Sequence, residues 1–197
     1  MGSDSRGVRS GVPAGQYLNV FALVIYIPDP LGRFLDQLRT QLVPGSNPHA
    51  HVSVLPPRPL AVEWPVAGAR VRSLAADWAP FDIELAPVQV FPVTNVIYVE
   101  LGAGAPELHR MHAASNSGVL EFSEPFEYHP HITLAQEIPP GDFDGVNRTA
   151  RRLWKEYQGP RVFRAERAAL VQNTRGACWI DLAQYGLGEV VATNEHE

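Results

Sequence analysis

The feature that most constrains the fold is a short pattern that occurs once in each half of the 197-residue chain. The first copy is His51–Val54 (HVSV) and the second is His131–Leu134 (HITL). Val, Ile and Thr favour an extended backbone, so each copy predicts a short strand. Successive side chains of a strand point to opposite faces. Each strand therefore presents its histidine and its hydroxyl residue on one face and buries its apolar residues on the other.

The surroundings of the two copies are also alike. A second histidine, His49 or His129, lies two residues before each motif and shares its predicted face. A proline pair, Pro56-Pro57 or Pro139-Pro140, follows each motif and predicts the end of the strand. One such segment would carry little information. Two similar segments predict two half-sites that meet across a cleft.

The arrangement of apolar residues around the motifs predicts the fold class. The predicted order is strand, helix, His strand, helix and strands, followed by helix, His strand, helix and strands. This order predicts an α+β fold of two similar lobes, in which antiparallel-rich sheets flank a central cleft and the helices lie outside. Predicted strands are 17–27, 49–55, 81–85, 88–91, 95–101, 129–135, 162–172 and 177–182; predicted helices follow Asp29, span 64–78, open at Pro106 and follow Asp142.

The domain organisation follows from length and composition. Residues 16–188 are predicted to form a single bilobal domain, since the pattern shows no linker between two independent folds. Residues 1–15 and 189–197 are predicted to be mobile, because they contain few apolar residues.

Charge and cysteine content narrow the classes of partner. Sixteen Lys and Arg against 21 Asp and Glu give a net charge of −5, which argues against binding long nucleic acid but allows a small phosphorylated ligand.

The single cysteine, Cys178, excludes an internal disulfide and fits a reducing, cytoplasmic environment. The longest apolar run, Val20–Ile27, is too short to span a membrane. Oligomeric state leaves no signal in the sequence.

The two motifs together predict an acid–base site. Two imidazoles facing each other can supply one neutral and one protonated ring near neutral pH. On opposite sides of a phosphorus atom, one ring would deprotonate an attacking water and the other would protonate the leaving oxygen. The hydroxyls of Ser53 and Thr133 would donate hydrogen bonds to the non-bridging phosphate oxygens. A cyclic phosphodiester would suit such a site, because its strained ring supplies the in-line leaving group.

The paired motifs resemble those of the 2H phosphoesterase superfamily, named for two H-x-[ST]-x motifs. The resemblance spans residues 16–188, and it includes the bilobal duplication and the final strand at Trp179–Leu182. It implies cofactor-free, metal-independent chemistry at 2′,3′-cyclic or 2′-linked phosphates in a groove between two lobes. It also implies that His51 and His131 form the acid–base pair and that Ser53 and Thr133 bind phosphate. Ser53 stands where the family more often has Thr.

The 2′-5′ RNA ligase and cyclic phosphodiesterase branch looks nearest. The resulting prediction is a phosphodiesterase acting on cyclic or 2′-5′-linked nucleotides or short oligonucleotides. Three alternatives remain open: a ligase acting on RNA ends, a non-catalytic nucleotide-binding module, and a zinc site at the two His-x-His pairs. Against zinc, neither motif contains Asp, Glu or Cys. Other candidates are predicted to be solvated surface (His109, His112, Arg58, Arg110 and Arg175) or core (Trp64, Trp78, Trp154 and Trp179).

Overall fold

The computed structural model describes residues 16–45, 49–176 and 178–189. The segments predicted to be mobile, 1–15 and 189–197, lie outside these ranges except for residue 189. The strands are β1 Tyr17–Tyr26, β2 His51–Arg58, β3 Phe81–Phe91, β4 Val96–Leu101, β5 His131–Ala135, β6 Val162–Ala165, β7 Arg167–Thr174 and β8 Trp179–Gly186. The helices are α1 Leu31–Leu42, α2 Trp64–Ala76, α3 Ala105–Ser115 and α4 Phe143–Glu156, with a 3-10 turn at Gly118–Leu120.

The strands form two four-stranded sheets in which every pairing is antiparallel. The first has the order β2-β1-β7-β8 and the second the order β5-β4-β3-β6. Each sheet therefore takes two strands from the first half of the chain and two from the second. The predicted fold, an α+β duplication with two antiparallel sheets around a cleft, is confirmed.

The two motif strands occupy matching places in the sheets. β2 is an edge strand of the first sheet and β5 is an edge strand of the second. The two edges lie against each other, although no ladder of hydrogen bonds joins them. The fold therefore brings the motifs of both halves to the junction between the sheets.

The helices pack across this junction. α1 packs against β5 and α4, while α3 packs against β2 in the other sheet. Leu35 and Leu38 of α1 are fully buried in a hydrophobic core that includes Leu23 of β1 and Ile97 of β4. One continuous core thus contains strands of both sheets. Among the described residues, no helix is long and apolar enough to cross a membrane.

Several predicted strand boundaries are wrong, and three of the differences change how a strand ends or how many strands there are. β2 continues through Pro56-Pro57 to Arg58, because an edge strand tolerates residues that lack an N–H. β3 is one strand of 11 residues rather than two; a register shift between Leu85 and Val88 absorbs Pro87. The predicted strand 162–172 is two strands, β6 and β7, which belong to different sheets. Continuous apolar character does not reveal where a chain passes from one sheet to another.

The start of α1 also differs from the prediction. The helix begins at Leu31, with Pro30 rather than Asp29 as its N-cap residue. The Asp29 side chain still accepts the backbone N–H of Arg33 at 3.0 Å. Asp29 therefore pairs with one of the backbone N–H groups that have no partner within the first helical turn, although it lies one residue before the N-cap.

Candidate active site

Both motifs alternate between a half-buried polar face and a buried apolar face. In β2, Val52 and Val54 are fully buried, while His51 and Ser53 retain contact with solvent. In β5, Ile132 and Leu134 are buried in the same way beneath His131 and Thr133. The predicted division of each strand into two faces is confirmed. The apolar side of each strand, held in the core, fixes the position of its polar side.

Both motif histidines are held by the same hydrogen bond. Nδ1 of His51 lies 2.7 Å from the carbonyl oxygen of His49. Nδ1 of His131 lies 2.7 Å from the carbonyl oxygen of His129. A carbonyl oxygen only accepts hydrogen bonds, so Nδ1 must carry the proton in each neutral ring. Nε2 is then left with a lone pair, and in neither ring does it have a hydrogen-bond partner among the residues described.

The two rings are close enough to influence each other electrostatically. They belong to the adjoining edges β2 and β5, and a positive charge on His131 lowers the pKa of His51. The structure therefore brings the two predicted half-sites together. His51, Ser53, His131 and Thr133 all belong to these two strands.

Burial favours the uncharged form of both rings by lowering the pKa of each. It is the main cause that lowers the pKa of His51 to about 4, and the bond to the His49 carbonyl opposes it only in part. Burial also lowers the pKa of His131, again against a carbonyl hydrogen bond. At pH 7 both imidazoles are therefore neutral.

Different residues lie beside the two histidines on the neighbouring strands. Tyr26 of β1 pairs with His51 in the strand register, and Glu100 of β4 pairs with His131. The Tyr26 hydroxyl donates to Asp181 at 2.6 Å, and burial raises the pKa of Tyr26. Both oxygens of Glu100 lie 3.0 Å from Nε2 of His129.

Aromatic rings support the second motif. Phe91 stacks on Tyr98 with ring centroids 4.0 Å apart. The edge-to-face contact between Phe91 and His131 has a centroid distance of 4.9 Å, and Tyr98 contacts the same imidazole at 5.3 Å. Tyr98 also pairs with Thr133 in the strand register. These rings limit the orientations open to His131 while leaving its Nε2 free.

A buried polar network beside β2 was missed by the sequence analysis. Arg58, predicted to be solvated, is only 2% exposed and forms an ion pair with Glu124. It also donates to the side chain of Asn116 at 2.7 Å and to the carbonyl oxygen of Leu120 at 3.2 Å. The prediction for Arg58 is wrong because a turn at 118–120 and the segment after it cover the end of β2.

His112 and Tyr128 complete this network and attach it to the first motif. Nδ1 of His112 lies 2.8 Å from the carbonyl oxygen of Val54, so the predicted exposed role of His112 is wrong. The His112 ring stacks on Tyr128 at 3.8 Å. The Tyr128 hydroxyl donates to the carbonyl oxygen of Ser53 at 2.8 Å. The segment that leads into the second motif is thereby tied to the strand of the first.

The remaining candidates divide between surface and core. His109, Arg110 and Arg175 are exposed, as predicted. Of the tryptophans, Trp154 is buried, Trp78 and Trp179 are half-buried, and Trp64 lies on the surface at 36% exposure, against the core prediction. Within the described ranges, no group of three or more His, Cys, Asp or Glu side chains is arranged to hold a metal ion.

Comparison with known proteins identifies the family. The model of the 2′-5′ RNA ligase superfamily matches residues 27–177, which include both motifs. The chain belongs to the 2′-5′ RNA ligase superfamily. The resemblance to 2H phosphoesterases that the two motifs indicated is confirmed.

Individual relatives are distant in sequence from this chain. A protein of Oceanobacillus iheyensis named "Putative phosphoesterase" is 30% identical over 77 residues, which are 39% of this chain and 45% of the relative. One of Geobacillus kaustophilus with the same description is 23% identical over 136 residues, 64% of this chain and 74% of the relative. The chain thus matches about half the length of the Oceanobacillus relative.

A solved structure extends the likeness to the fold. Escherichia coli LigT superposes with a TM-score of 0.59 at 16% identity, covering 87% of this chain and 99% of LigT. At that identity the likeness concerns the fold alone.

Proposed function

We propose that the protein is a phosphodiesterase that hydrolyses a 2′,3′-cyclic phosphate, or a 2′-5′ linkage, of a nucleotide or short oligonucleotide to a monoester. His51 and His131 are the acid–base pair in this proposal, and the hydroxyls of Ser53 and Thr133 donate to the non-bridging phosphate oxygens. The reaction as proposed uses no metal or cofactor. A small substrate suits a chain with a net charge of −5.

The observation that carries the proposal is the identical presentation of the two imidazoles. Each Nδ1 is bound to a carbonyl oxygen at 2.7 Å, and the two rings lie on adjoining strand edges. A ring held in this way can exchange a proton only through Nε2. Two such nitrogens on opposite sides of a phosphorus atom can remove the proton of an attacking water and return one to the leaving oxygen.

Similar proteins give further support. Two bacterial relatives are named as putative phosphoesterases. Crystal structures of Escherichia coli LigT contain 3′-AMP, ATP or phosphate. These ligands share a phosphate group, and two of them are nucleotides. A nucleotide phosphate is therefore the group that we expect in the cleft of this protein.

The charge of the substrate would complete the acid–base pair. Both imidazoles are neutral at pH 7 before substrate binds, because burial lowers both pKa values. A phosphodiester carries a negative charge, and an adjacent anion raises the pKa of a histidine. Binding would therefore favour a proton on one of the two rings, which creates a general acid next to a general base.

The proposal is tested with a panel of 2′,3′-cyclic nucleotides and 2′-5′-linked dinucleotides, with and without EDTA. We expect the wild-type protein to release monoesters from at least one class in the presence of EDTA. We expect His51→Ala and His131→Ala each to lose roughly 10²–10⁴-fold in kcat, the usual worth of one acid or base. Product is measured by chromatography at substrate saturation.

The matched control is His109→Ala, which removes an exposed imidazole on α3. We expect its kcat to equal that of the wild-type protein. Near-normal turnover by a folded His51→Ala or His131→Ala variant would contradict the assigned roles. Nucleotide binding without turnover in the wild-type protein would instead identify a binding module, and loss of activity in EDTA with recovery in zinc would identify a metal enzyme.

A further inference from the structure

Two side chains of α1 hold the peptide unit that precedes the first motif. Oδ1 of Asp36 accepts the backbone N–H of Ala50 at 2.6 Å. Nη1 of Arg39 donates to the carbonyl oxygen of His49 at 3.0 Å. This N–H and this carbonyl oxygen belong to the same planar peptide group, the one that joins residues 49 and 50. A single helix therefore binds both polar atoms of one peptide unit.

The same carbonyl oxygen holds the His51 ring. It lies 2.7 Å from Nδ1 of His51, so it accepts hydrogen bonds from His51 and from Arg39 together. A carbonyl oxygen has two lone pairs, which allows both bonds to form at once. The plane of the peptide unit sets the direction of these lone pairs. A rotation of that unit would therefore move the acceptor to which the imidazole is bound, and the ring with it.

The packing of α1 fixes the position of the two side chains. Asp36 and Arg39 are three residues apart in the helix, which places them on the same side. Leu35 and Leu38 beside them are buried in the core and anchor this part of the helix. Both polar side chains are half-buried, and a hydrogen bond partly shielded from water is stronger than an exposed one. The peptide unit is thus attached to the core through α1.

The second motif has no such pair of contacts. The matching peptide unit joins His129 to Pro130, and proline has no backbone N–H for a carboxylate to bind. Among the described residues, the side chain of His131 is the only one that hydrogen-bonds to the carbonyl oxygen of His129. The Pro130 ring fixes its own φ angle at about −65°. Pro130 is buried, as is Ala50 at the matching position, so a buried proline replaces the two contacts from a helix.

We infer that Asp36 and Arg39 are positioning residues, which fix the tautomer and the orientation of His51 by holding the peptide unit in front of it. Pro130 restrains the matching unit in front of His131 by its ring alone. The inference rests on the proposed function, in which His51 exchanges protons with the substrate through Nε2. The two halves of the duplicated fold thus reach the same ring geometry by different means.

The first test reads the tautomer of His51 directly and needs no turnover. Nitrogen-15 NMR distinguishes a ring protonated on Nδ1 from one protonated on Nε2, and at pH 7.5 both motif rings are neutral. We expect the Nδ1-protonated form in the wild-type protein. Asp36→Ala and Arg39→Met each remove one contact, and each should produce a measurable fraction of the Nε2-protonated form at His51. The His131 ring in the same samples should not change.

Two control variants separate the loss of a contact from a general effect of substitution on α1. Asp36→Asn keeps an oxygen that can accept the Ala50 N–H, so it should keep the wild-type tautomer. Arg33→Gln removes an arginine that is 71% exposed on the same helix, and it should also have no effect.

Two results of the NMR experiment would overturn the inference. One is an unchanged His51 tautomer in folded Asp36→Ala and Arg39→Met. The other is an equal change at His51 and His131, because this would show that the cleft as a whole has loosened. Circular dichroism establishes that each variant is folded.

The second test compares kcat with KM on the substrate that the nucleotide panel identifies. A displacement of about 1 Å in a catalytic group can cost about 10²-fold in rate. We expect Asp36→Ala and Arg39→Met to lower kcat by roughly 10–10²-fold with little change in KM, because neither side chain touches the substrate in this proposal. Wild-type kcat in a variant with an altered tautomer would overturn the role in catalysis. A wild-type protein without turnover would contradict the proposed function, while the tautomer would still decide the inference.

The third test transfers the proline of the second motif to the first. The double variant Asp36→Ala with Ala50→Pro removes the N–H that Asp36 binds and leaves room for the proline ring where the carboxylate was. We expect the His51 tautomer of this variant to return towards the wild-type form, compared with Asp36→Ala alone. A folded double variant that is as disturbed as the single one would overturn the equivalence of Pro130 and the helix contacts.

Discussion

At the scale of single residues, the hydroxyls of Ser53 and Thr133 lie in matching positions, two residues after each histidine and on its strand face. We predict that Ser53→Ala and Thr133→Ala each lower kcat by roughly 10²–10³-fold, the usual cost of losing one donor to a developing oxyanion. Ser53→Thr keeps the hydroxyl and should retain activity. Ser73→Ala, which removes an exposed hydroxyl on α2, is the control. Full activity in Thr133→Ala would exclude a role in phosphate binding.

The lowered pKa of His51 predicts how stability depends on pH. A free histidine titrates near 6.5 in the unfolded chain, whereas burial lowers the folded value to about 4. Between these two values the unfolded chain binds more protons than the folded protein. The free energy of unfolding should therefore fall as the pH falls from about 6.5 to about 4. The contribution of His51 is fully present above pH 6.5 and is lost through this window.

The measurement is urea unfolding at pH 7.5 and pH 4.5. His51→Gln should lose less stability between these two pH values than the wild-type protein, because its side chain does not titrate. His109→Gln, at an exposed position, should show the wild-type dependence. An unchanged pH dependence in His51→Gln would mean that the ring is not desolvated in the folded protein.

The sequence predicted which strand face each motif residue occupies, because strand alternation is a local property. His51, Ser53, His131 and Thr133 share their faces as the spacing of two requires. Arg58, Glu124 and Tyr128 were not predicted as a group, because their contacts join segments that are far apart in the chain. Nothing in the sequence around Arg58 shows that it is buried. The same is true of its partner Glu124, which lies 66 residues later in the chain.

At the scale of elements, β2 depends on the network that covers its open edge. Arg58 at the end of β2 is nearly inaccessible to solvent and pairs with Glu124, which is also largely buried. We predict that Arg58→Ala lowers the free energy of unfolding by about 3–5 kcal/mol, because Glu124 is left buried without its arginine, and only the His112 ring, 3.6 Å away, lies beside it. Arg33→Ala, which removes an exposed pair with Asp29, should cost at most about 1 kcal/mol. Urea unfolding at pH 7.5 measures both.

The double variant Arg58→Met with Glu124→Leu provides the complementary experiment. It removes both charges and should recover much of the stability lost in Arg58→Ala. Equal losses in the single and double variants would show that packing, not the unpaired carboxylate, causes the effect.

The elements themselves could be predicted where their pattern is local. β1, α1 and α4 follow from apolar spacing, and the alternation in Phe81–Leu85 identified the start of β3. The separation of β6 from β7 could not be predicted, since Glu166 is the only residue between two strands that enter different sheets. The strand with which β6 or β7 pairs depends on packing across the core rather than on the residues of that strand alone.

At the scale of the whole molecule, one core joins the two sheets. Leu23 of β1, Val52 of β2, Ile97 of β4 and Ile132 of β5 all belong to the same buried cluster. We predict that the lobes unfold together as a single domain. In hydrogen exchange with mass spectrometry in urea, peptides from β1 and β4 should give the same free energy of opening near the midpoint. Two distinct values, one for each sheet, would contradict a single cooperative unit.

The position of β7 between β1 and β8 has a consequence for synthesis on the ribosome. β1 pairs with β7 over a separation that spans most of the chain, from Tyr17 to Thr174. When α4 has just emerged, β1 and β2 can form only an isolated two-stranded ribbon, which is marginally stable in water. The strand that carries His51 therefore gains its lasting support only after the translation of β7. This sheet therefore cannot fold progressively from the amino terminus during synthesis. The first motif acquires its stable structure only after the strands near the carboxyl end have been translated.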